Sequence, residues 1–381
     1  MRFALAVALC FAFHGTAAAE GADFGPQARL LFRIGACGGN DPLPATVDAK
    51  MVEQHCKELS GRMARYRSRW IDLAVPYLAK VVPSAVPDKV VYPFGGGDLL
   101  TALATFPNAM EITSLSLELA GDVRRIESLT KPQLRAALEV NRQNIFRLFA
   151  VAHSKTVNLS LVTKGDLPGQ ILYSLVALAL YGFEPVSLRY FKITPAGELV
   201  YYSQADLDAG LAEAAKLKGS ARLKAEQQLF KDMEIGYRKL GDAAAPIRIF
   251  RHVSANLDDE HLKADPGPIK HLEQKGKVAA MTKAASYLLW WNNFSIIRQY
   301  LLDHAVWMIS DSTGIPPKYA EPAGFEQITY GKFQGPFLPA GRGEGGAFRK
   351  LWQTNPAQPL PFRYGYPDSN RNAHMMVTRK K

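Results

Sequence analysis

Residues 89–98, which read KVVYPFGGGD, decide the fold. The first half is a short apolar run rich in β-branched residues, which predicts a buried strand, and the three glycines predict a tight turn. A predicted helix follows at residues 99–106, and a second predicted strand at residues 111–119. This order predicts a βαβ unit, in which the two strands lie parallel.

The alternation of strands and helices continues along the chain. Further strands are predicted at residues 156–163, 185–194, 198–202, 247–253 and 305–310, the last of these being the final strand. Helices are predicted at residues 47–79, 131–153, 167–182, 203–240 with a break near Gly219, 266–275, 279–291 and 294–303. The pattern predicts an α/β layered fold with a mostly parallel or mixed central sheet.

Four regions are predicted from composition. Residues 1–19 form a leader, residues 20–87 a loop and an amphipathic helix, residues 88–320 the α/β core, and residues 321–381 an extended segment rich in aromatic residues, Gly and Pro that packs on the core. The whole chain is 48% apolar, which suits a globular protein rather than a disordered or fibrous one.

The N-terminus has the pattern of a secretory signal peptide. Arg2 is followed by an eleven-residue apolar run and then by Ala17-Ala18-Ala19, which predicts cleavage after Ala19. The alternatives are a lipid anchor at Cys10 or an uncleaved anchor. We therefore expect an exported protein, located in the periplasm or outside the cell, without stable membrane insertion. The most apolar later stretch, residues 171–183, is too short to span a bilayer.

Two cysteines lie beyond the leader, Cys37 and Cys56. An oxidising compartment favours a disulfide between them. The alternative is a reactive thiol at Cys56 activated by His55.

The formal net charge is +11, and Arg62, Arg65 and Arg69 step by three and four residues along the predicted N-terminal helix. This spacing places them on one helix face. The simplest interpretation is a solvated basic stripe, and the alternative is a surface that docks an anionic polymer of the cell envelope.

The glycine turn is the first candidate site. Glycines before a helix allow a ligand to approach the backbone, and an acid about 20 residues later contacts ribose in nucleotide-binding folds. Gly96, Gly97 and Asp98 stand at the turn and Glu118 at the acid position, but Leu100 replaces a third glycine and an exported chain lacks cytosolic nucleotides. A turn built for packing and a pocket for a polar ligand both remain open.

The second candidate follows the predicted strand 305–310, where Asp311 and Ser312 begin a polar turn. Ser312, Asp368 and His374 follow one another in the order of the catalytic triad of α/β-hydrolases. However, Pro316-Pro317 prevents the helix that a nucleophile elbow requires. The alternatives are a polar turn and a ligand contact.

Arg189 on a predicted strand is a third candidate, together with Arg298. A partly buried arginine is expected to pair with an acid such as Asp98, Glu118 or Asp311, or else to bind an anionic ligand. The histidines lack the spacing of paired metal ligands, so no metal is predicted.

The segments at residues 92–98 (YPFGGGD) and 310–316 (SDSTGIP) resemble those of a group of exported bacterial proteins of unknown function. Residues 283–287 and 294–298 fit the same pattern. The resemblance implies export from a bacterium and carries no activity.

These observations predict an exported protein that binds a small polar or anionic ligand without a cofactor. The expected lining is Gly96, Gly97, Asp98, Glu118, Arg189, Asp311 and Ser312. The alternatives are a cofactor-free hydrolase that uses Asp98 or Asp311, and a structural protein that docks envelope polymer. Nucleic acid is not an expected partner.

Overall fold

The computed structural model describes residues 21–151, 166–283, 285–311, 313–333, 344–365 and 374–381. The described strands form one ten-stranded mixed sheet with helices on both faces, which confirms the layered α/β fold. The strands are β1 (Lys89–Pro93), β2 (Glu111–Ser116), β3 (Phe183–Ile193), β4 (Leu199–Tyr201), β5 (Asp232–Lys239), β6 (Arg248–Ser254), β7 (Val278–Thr282), β8 (Ala305–Ser310), β9 (Phe325–Gly331) and β10 (His374–Lys380).

The helices lie between and before these strands. They are α1 (Gly25–Ile34), α2 (Ala49–Tyr66), α3 (Asp72–Val81), α4 (Leu99–Thr105), α5 (Arg125–Ser128), α6 (Lys131–Val151), α7 (Gly169–Tyr181), α8 (Gln204–Ala215), α9 (Gly219–Leu229), α10 (Asp259–Ala264), α11 (Gly267–Glu273), α12 (Ser295–His304), α13 (Pro317–Ala320) and α14 (Glu344–Thr354). A π-helical turn (Arg67–Ile71) joins α2 to α3, and two 3₁₀ segments (Ala285–Trp290 and Asn292–Phe294) precede α12.

The strand order is β4-β3-β5-β6-β2-β1-β7-β8-β10-β9. The five central strands from β6 to β8 are parallel, and their order is that of a doubly wound sheet. β1 occupies the centre, and its Val91 lies beside Thr113 of β2 and Ala280 of β7. In such sheets, ligands bind beyond the carboxyl ends of the strands, where the chain order reverses.

Alternate residues of the central strands serve two different cores, because successive side chains of a strand point to opposite faces. Val90 and Tyr92 of β1 pack with α1 to α4 and α7, whereas Val91 packs with α11 and α12 on the other face. The sheet is therefore the middle layer of three.

Four sequence predictions of secondary structure are wrong. The segment before residue 47, expected to be a loop, contains α1 (Gly25–Ile34). Residues 232–239 were expected to continue a helix but form β5, which lies between β3 and β6. Residues 279–282 were also expected in a helix but belong to β7, because a five-residue apolar run does not distinguish a buried strand from a helix. The segment after residue 321, expected to be extended, supplies β9, α14 and β10, so β8 is not the last strand.

The N-terminal helix is confirmed, since helical structure is continuous from Ala49 to Val81. Asp48 caps it by accepting hydrogen bonds from the backbone amides of Lys50 and Met51. The sulfur atoms of Cys37 and Cys56 lie 2.03 Å apart, which confirms the predicted pairing. No helix in the described residues combines the length and the apolar character that crossing a membrane demands. The leader and the predicted strand at residues 156–163 lie outside the described residues.

Candidate functional site

The glycine turn after β1 is tightly packed. A Cβ atom on Gly95 would lie 2.5 Å from Cγ of Tyr92 and 2.7 Å from the hydroxyl oxygen of Ser114, so only glycine fits there. The same Ser114 hydroxyl donates a 2.6 Å hydrogen bond to the carbonyl of Gly96, which has a φ of 51°. Phe94 also has a positive φ, 62°, which is strained for a residue with a side chain.

Asp98 lies at the end of this turn and is only 1% exposed. Its carboxylate accepts hydrogen bonds from the backbone amide and hydroxyl of Thr101 at 3.1 and 2.8 Å, and from the hydroxyl of Tyr92 at 2.9 Å. The amine of Lys283, which follows β7 and is fully buried, lies 3.0 Å from the carboxylate. Asp98 is thus held in a dense set of donors between the ends of β1 and β7.

Asp311 follows β8 and is also fully buried. A Cβ atom on Gly365 would lie 2.0 Å from its carboxylate, so the C-terminal segment covers it closely. Burial raises the pKa of Tyr92 and of Tyr364 well above the usual value, and Asp98 and Asp311 add to the rise at both hydroxyls. The structure therefore brings the two predicted acids into one cluster, which is sealed from solvent.

The hydroxyl of Tyr364 completes this cluster by donating to the sulfur of Met281 at 3.2 Å and by sharing a 3.0 Å hydrogen bond with Thr105. Ser312 lies outside the described residues. The backbone amides of Thr313 and Gly314, which follow it, donate to the hydroxyl of Ser286.

A chain of buried polar groups leads from the glycine turn to Glu118. Gly97 packs against Gln170, with only 3.0 Å between a Cβ atom at Gly97 and the side-chain oxygen of Gln170. The amide nitrogen of Gln170 lies 3.2 Å from Nδ1 of His252, and Nε2 of His252 lies 2.7 Å from the carbonyl oxygen of Glu118. Burial lowers the pKa of His252 to about 4, so the ring is neutral at pH 7.

These two contacts select one tautomer of His252. Nε2 donates to the Glu118 carbonyl, because a carbonyl can only accept, and Nδ1 then accepts from the Gln170 amide. The Gln170 oxygen that remains has no partner in the described residues.

Glu118 borders a cavity of about 590 Å³ beyond the carboxyl end of β2. One carboxylate oxygen of Glu118 is buried without a hydrogen-bond partner in the described residues, and the residue is 8% exposed. The apolar part of the lining is Leu117, Leu119, Leu167, Leu211, Leu223 and Phe230. The polar part is Glu118, Asp122, Asp166, Glu226, Gln227 and Arg125.

Two of the leucines that line this cavity are exposed. Leu117 is 65% exposed and Leu223 is 54% exposed, although both line the opening. Within the lining, Asp122 is neutralised by Arg124 through two hydrogen bonds of 2.9 and 2.8 Å. We refer to this space as the Glu118 cavity.

Arg189 lies elsewhere, on β3. Its guanidinium group contacts Glu234 of β5 at 2.5 Å and lies over the ring of Tyr201 at 4.2 Å. Glu234 also accepts from Arg251, which in turn contacts Glu111 at 2.7 Å. Arg189 thus belongs to a network of ion pairs across the strands, and its partner is none of the three acids expected from the sequence.

Arg298 likewise has local partners. Its guanidinium group donates to the carbonyls of Leu289 and Trp291 at 2.8 and 3.0 Å, and lies 4.1 Å from the ring centre of Tyr319.

The sequence did not indicate Lys283, Gln170 or His252 as site residues. Lys283 follows a strand that was predicted as a helix, so its place at the carboxyl edge of the sheet was hidden. His252 lies on a strand that was predicted, but nothing in the sequence indicated its contact with the loop after β2. In the described residues, no three His, Cys, Asp or Glu side chains converge as metal ligands would.

No protein-family model, curated protein or solved structure matches the chain.

Proposed function

We propose that the protein binds a small organic amine in the Glu118 cavity, with the ammonium group paired to the Glu118 carboxylate and the apolar part of the ligand against Phe230 and the leucines. The buried carboxylate oxygen without a partner carries this proposal. Burying such a group costs free energy unless a donor satisfies it, and a ligand can supply that donor.

The lining supports a cationic ligand more than an anionic one. Glu118, Asp122, Asp166 and Glu226 are acidic, whereas Arg125 is the one basic residue in the described lining. Asp122 and Glu226 have arginine partners outside the lining, at Arg124 and Arg222. Glu118 and Asp166 therefore remain without an ion-pair partner in the described residues, and Glu118, with its buried oxygen, is the proposed counter-ion for a bound cation.

The position supports a ligand site as well. The cavity lies beyond the carboxyl end of the central parallel strand β2, at the edge of the sheet where α/β folds bind ligands and one strand away from the reversal of strand order between β1 and β7. Its volume is typical of pockets for small molecules, which combine apolar walls with a few polar groups.

The glycine turn gives less support to a phosphate-bearing ligand at that point. The side chain of Gln170 packs on Gly97, and the carboxylate of Asp98 caps α4, so the amides that would face a phosphate are covered. The burial of Asp98 and Asp311 also gives little support to the hydrolase alternative, since a general base must reach its substrate.

We also propose that the chain is exported, with the leader cleaved after Ala19, and that the mature protein is located in the periplasm or outside the bacterial cell. The paired cysteines are compatible with an oxidising compartment. N-terminal sequencing of the protein recovered from its natural compartment tests this.

The ligand proposal is tested by thermal shift with phenethylamine, phenethyl alcohol and hydrocinnamate, which share a ring and differ in charge. We expect the amine alone to raise Tm. The variant Glu118→Gln keeps the shape and removes the charge, so the shift should disappear. Glu321→Gln, an exposed acid on the other side of the core, serves as the control and should keep the shift. Stabilisation by hydrocinnamate, or by the amine in Glu118→Gln, would contradict the proposal.

A further inference from the structure

Three arginines line a separate surface groove of about 280 Å³ between α2, the π-helical turn and α6. They are Arg62, Arg65 and Arg69, and the side chains of Phe146 and Phe149 form the opposite wall. We refer to this as the arginine groove. It lies at the basic stripe that the sequence indicated, and it shares no lining residue with the Glu118 cavity.

None of the three guanidinium groups has a carboxylate partner among the described residues. Neighbouring arginines differ in this respect. Arg142 pairs with Glu58 at 3.1 Å, and Arg67 donates to the carbonyl of Leu180. The groove therefore concentrates positive charge that the described part of the protein leaves without a counter-ion.

Aromatic rings hold the groove in shape. The guanidinium group of Arg62 lies 4.6 Å from the ring centre of Phe146, a cation–π contact that restricts this side chain. Below, the ring of Tyr66 stacks on those of Trp70 and Phe149 at 5.6 and 4.8 Å. A charged group held in place before binding loses less entropy on binding an anion.

The floor of the groove is nearly solid. Tyr66 and Phe149 separate it from an inner cavity of about 20 Å³ that reaches Asp98. That volume holds about one water molecule. A larger ligand therefore cannot enter the inner cavity and must bind in the groove, outside the rings of Tyr66 and Phe149.

The π-helical turn (Arg67–Ile71) begins two residues after Arg65 and contains Arg69, and it adds a second indication. Such turns are rare in proteins, but those that occur are often found at functional sites. At 1.5 Å per residue, Arg62 and Arg69 are about 10 Å apart along the helix. Three charges over this distance match an anion with more than one charged group.

We propose that the arginine groove binds a compact anion that carries a diphosphate group. The planar guanidinium fork donates two parallel hydrogen bonds to phosphate oxygens, and adjacent arginines can share one phosphate group. A pocket of this volume is at the small end for ligands, which favours a compact anion over a polymer.

The experiment is isothermal titration of the full mature protein with inorganic pyrophosphate at low ionic strength. We expect Arg65→Gln to weaken binding by about tenfold or more, which corresponds to about 1.4 kcal/mol per factor of ten. Lys80→Gln, an exposed substitution on α3 that changes net charge equally, is the matched control and should retain wild-type affinity. Circular dichroism verifies that both variants are folded.

Three results would overturn the proposal. Pyrophosphate could fail to bind, or Arg65→Gln and Lys80→Gln could weaken it equally, which would indicate general electrostatic attraction. Citrate could bind more tightly than pyrophosphate, which would favour a carboxylate ligand. Polygalacturonate could bind where pyrophosphate does not, which would favour polymer docking. Failure of amines to bind in the Glu118 cavity would leave this inference unaffected.

Discussion

The amine of Lys283 lies 3.0 Å from the carboxylate of Asp98, and neither side chain has appreciable contact with solvent. The two residues follow β7 and β1, the strands between which the chain order of the doubly wound sheet reverses. An ion pair therefore fills the crevice in which such sheets place ligands. The Glu118 cavity and the arginine groove both lie outside this crevice.

The first prediction concerns this ion pair. Lys283→Met leaves the Asp98 carboxylate buried without its cation and should lower the free energy of unfolding by about 3–5 kcal/mol. Adding Asp98→Asn removes the uncompensated charge, so the double variant should recover part of the loss. Urea unfolding of the wild type, the two single variants and the double variant measures this. Additive losses would contradict the direct pairing.

The second prediction concerns the glycine turn. Gly95→Ala forces a Cβ atom against Tyr92 and Ser114, and overpacking of this kind should cost about 1–3 kcal/mol. Gly61→Ala is the matched control, because its Cβ atom would meet nothing within 4 Å on α2. There, alanine should stabilise the helix by about 0.5–1 kcal/mol. Equal effects at the two positions, measured by urea unfolding, would show that packing at the turn is loose.

The third prediction concerns the pH dependence of His252. Burial lowers its pKa to about 4, below the value of about 6.5 in an unfolded chain. As the pH falls from about 6.5 toward 4, His252 binds a proton in the unfolded state but not in the folded state. The free energy of unfolding therefore decreases in this pH range.

The direct measurement is the Cε1 proton resonance of His252 in the folded protein. It should stay constant from pH 8 to pH 5, and His252→Gln assigns the signal. A titration midpoint near pH 6.5 would mean that solvent reaches the His252 ring and that its hydrogen bonds to Gln170 and Glu118 are broken.

The fourth prediction concerns the cysteine pair. Replacing Cys37 and Cys56 by serine opens a loop with a sequence separation of 19 residues. In the chain-entropy account this should lower the free energy of unfolding by about 3 kcal/mol. Denaturant unfolding of the double variant tests the value, and a thiol reagent should label neither cysteine in the native wild type. Rapid labelling of either would contradict the pairing.

The local signals in the sequence predicted the local structure well. The strand–turn–helix–strand unit from Lys89 to Ser116 is present, and the helix predicted from residue 203 begins with a capping box formed by Ser203 and Asp206. These features depend on neighbouring residues alone. β5 and β7 depend instead on pairing with strands that are distant in sequence. The helix-forming residues before β5 and the shortness of β7 therefore led to the wrong prediction of helices at both places.

The candidate site was predictable only in part, for the same reason. Glu118 was predicted from its separation of about 20 residues along the sequence from the glycines, and it does border a cavity. The grouping of Asp98 with Asp311 was predictable, because each follows a predicted strand and the carboxyl ends of parallel strands lie at the same edge of a sheet. The pairing of Arg189 with Glu234 was not predictable, because Glu234 lies in the strand that was taken for a helix.

The position of β10 has a consequence for biosynthesis. In the described part of the sheet, β9 is bonded to β10 and β10 to β8, so β9 has no place in the sheet until β10 arrives. β9 precedes β10 along the chain and therefore emerges first, with its backbone groups unpaired. A nascent polypeptide stalled between the two strands would expose an open edge, and chaperones that shield such edges should associate with it until residues 374–380 have been made.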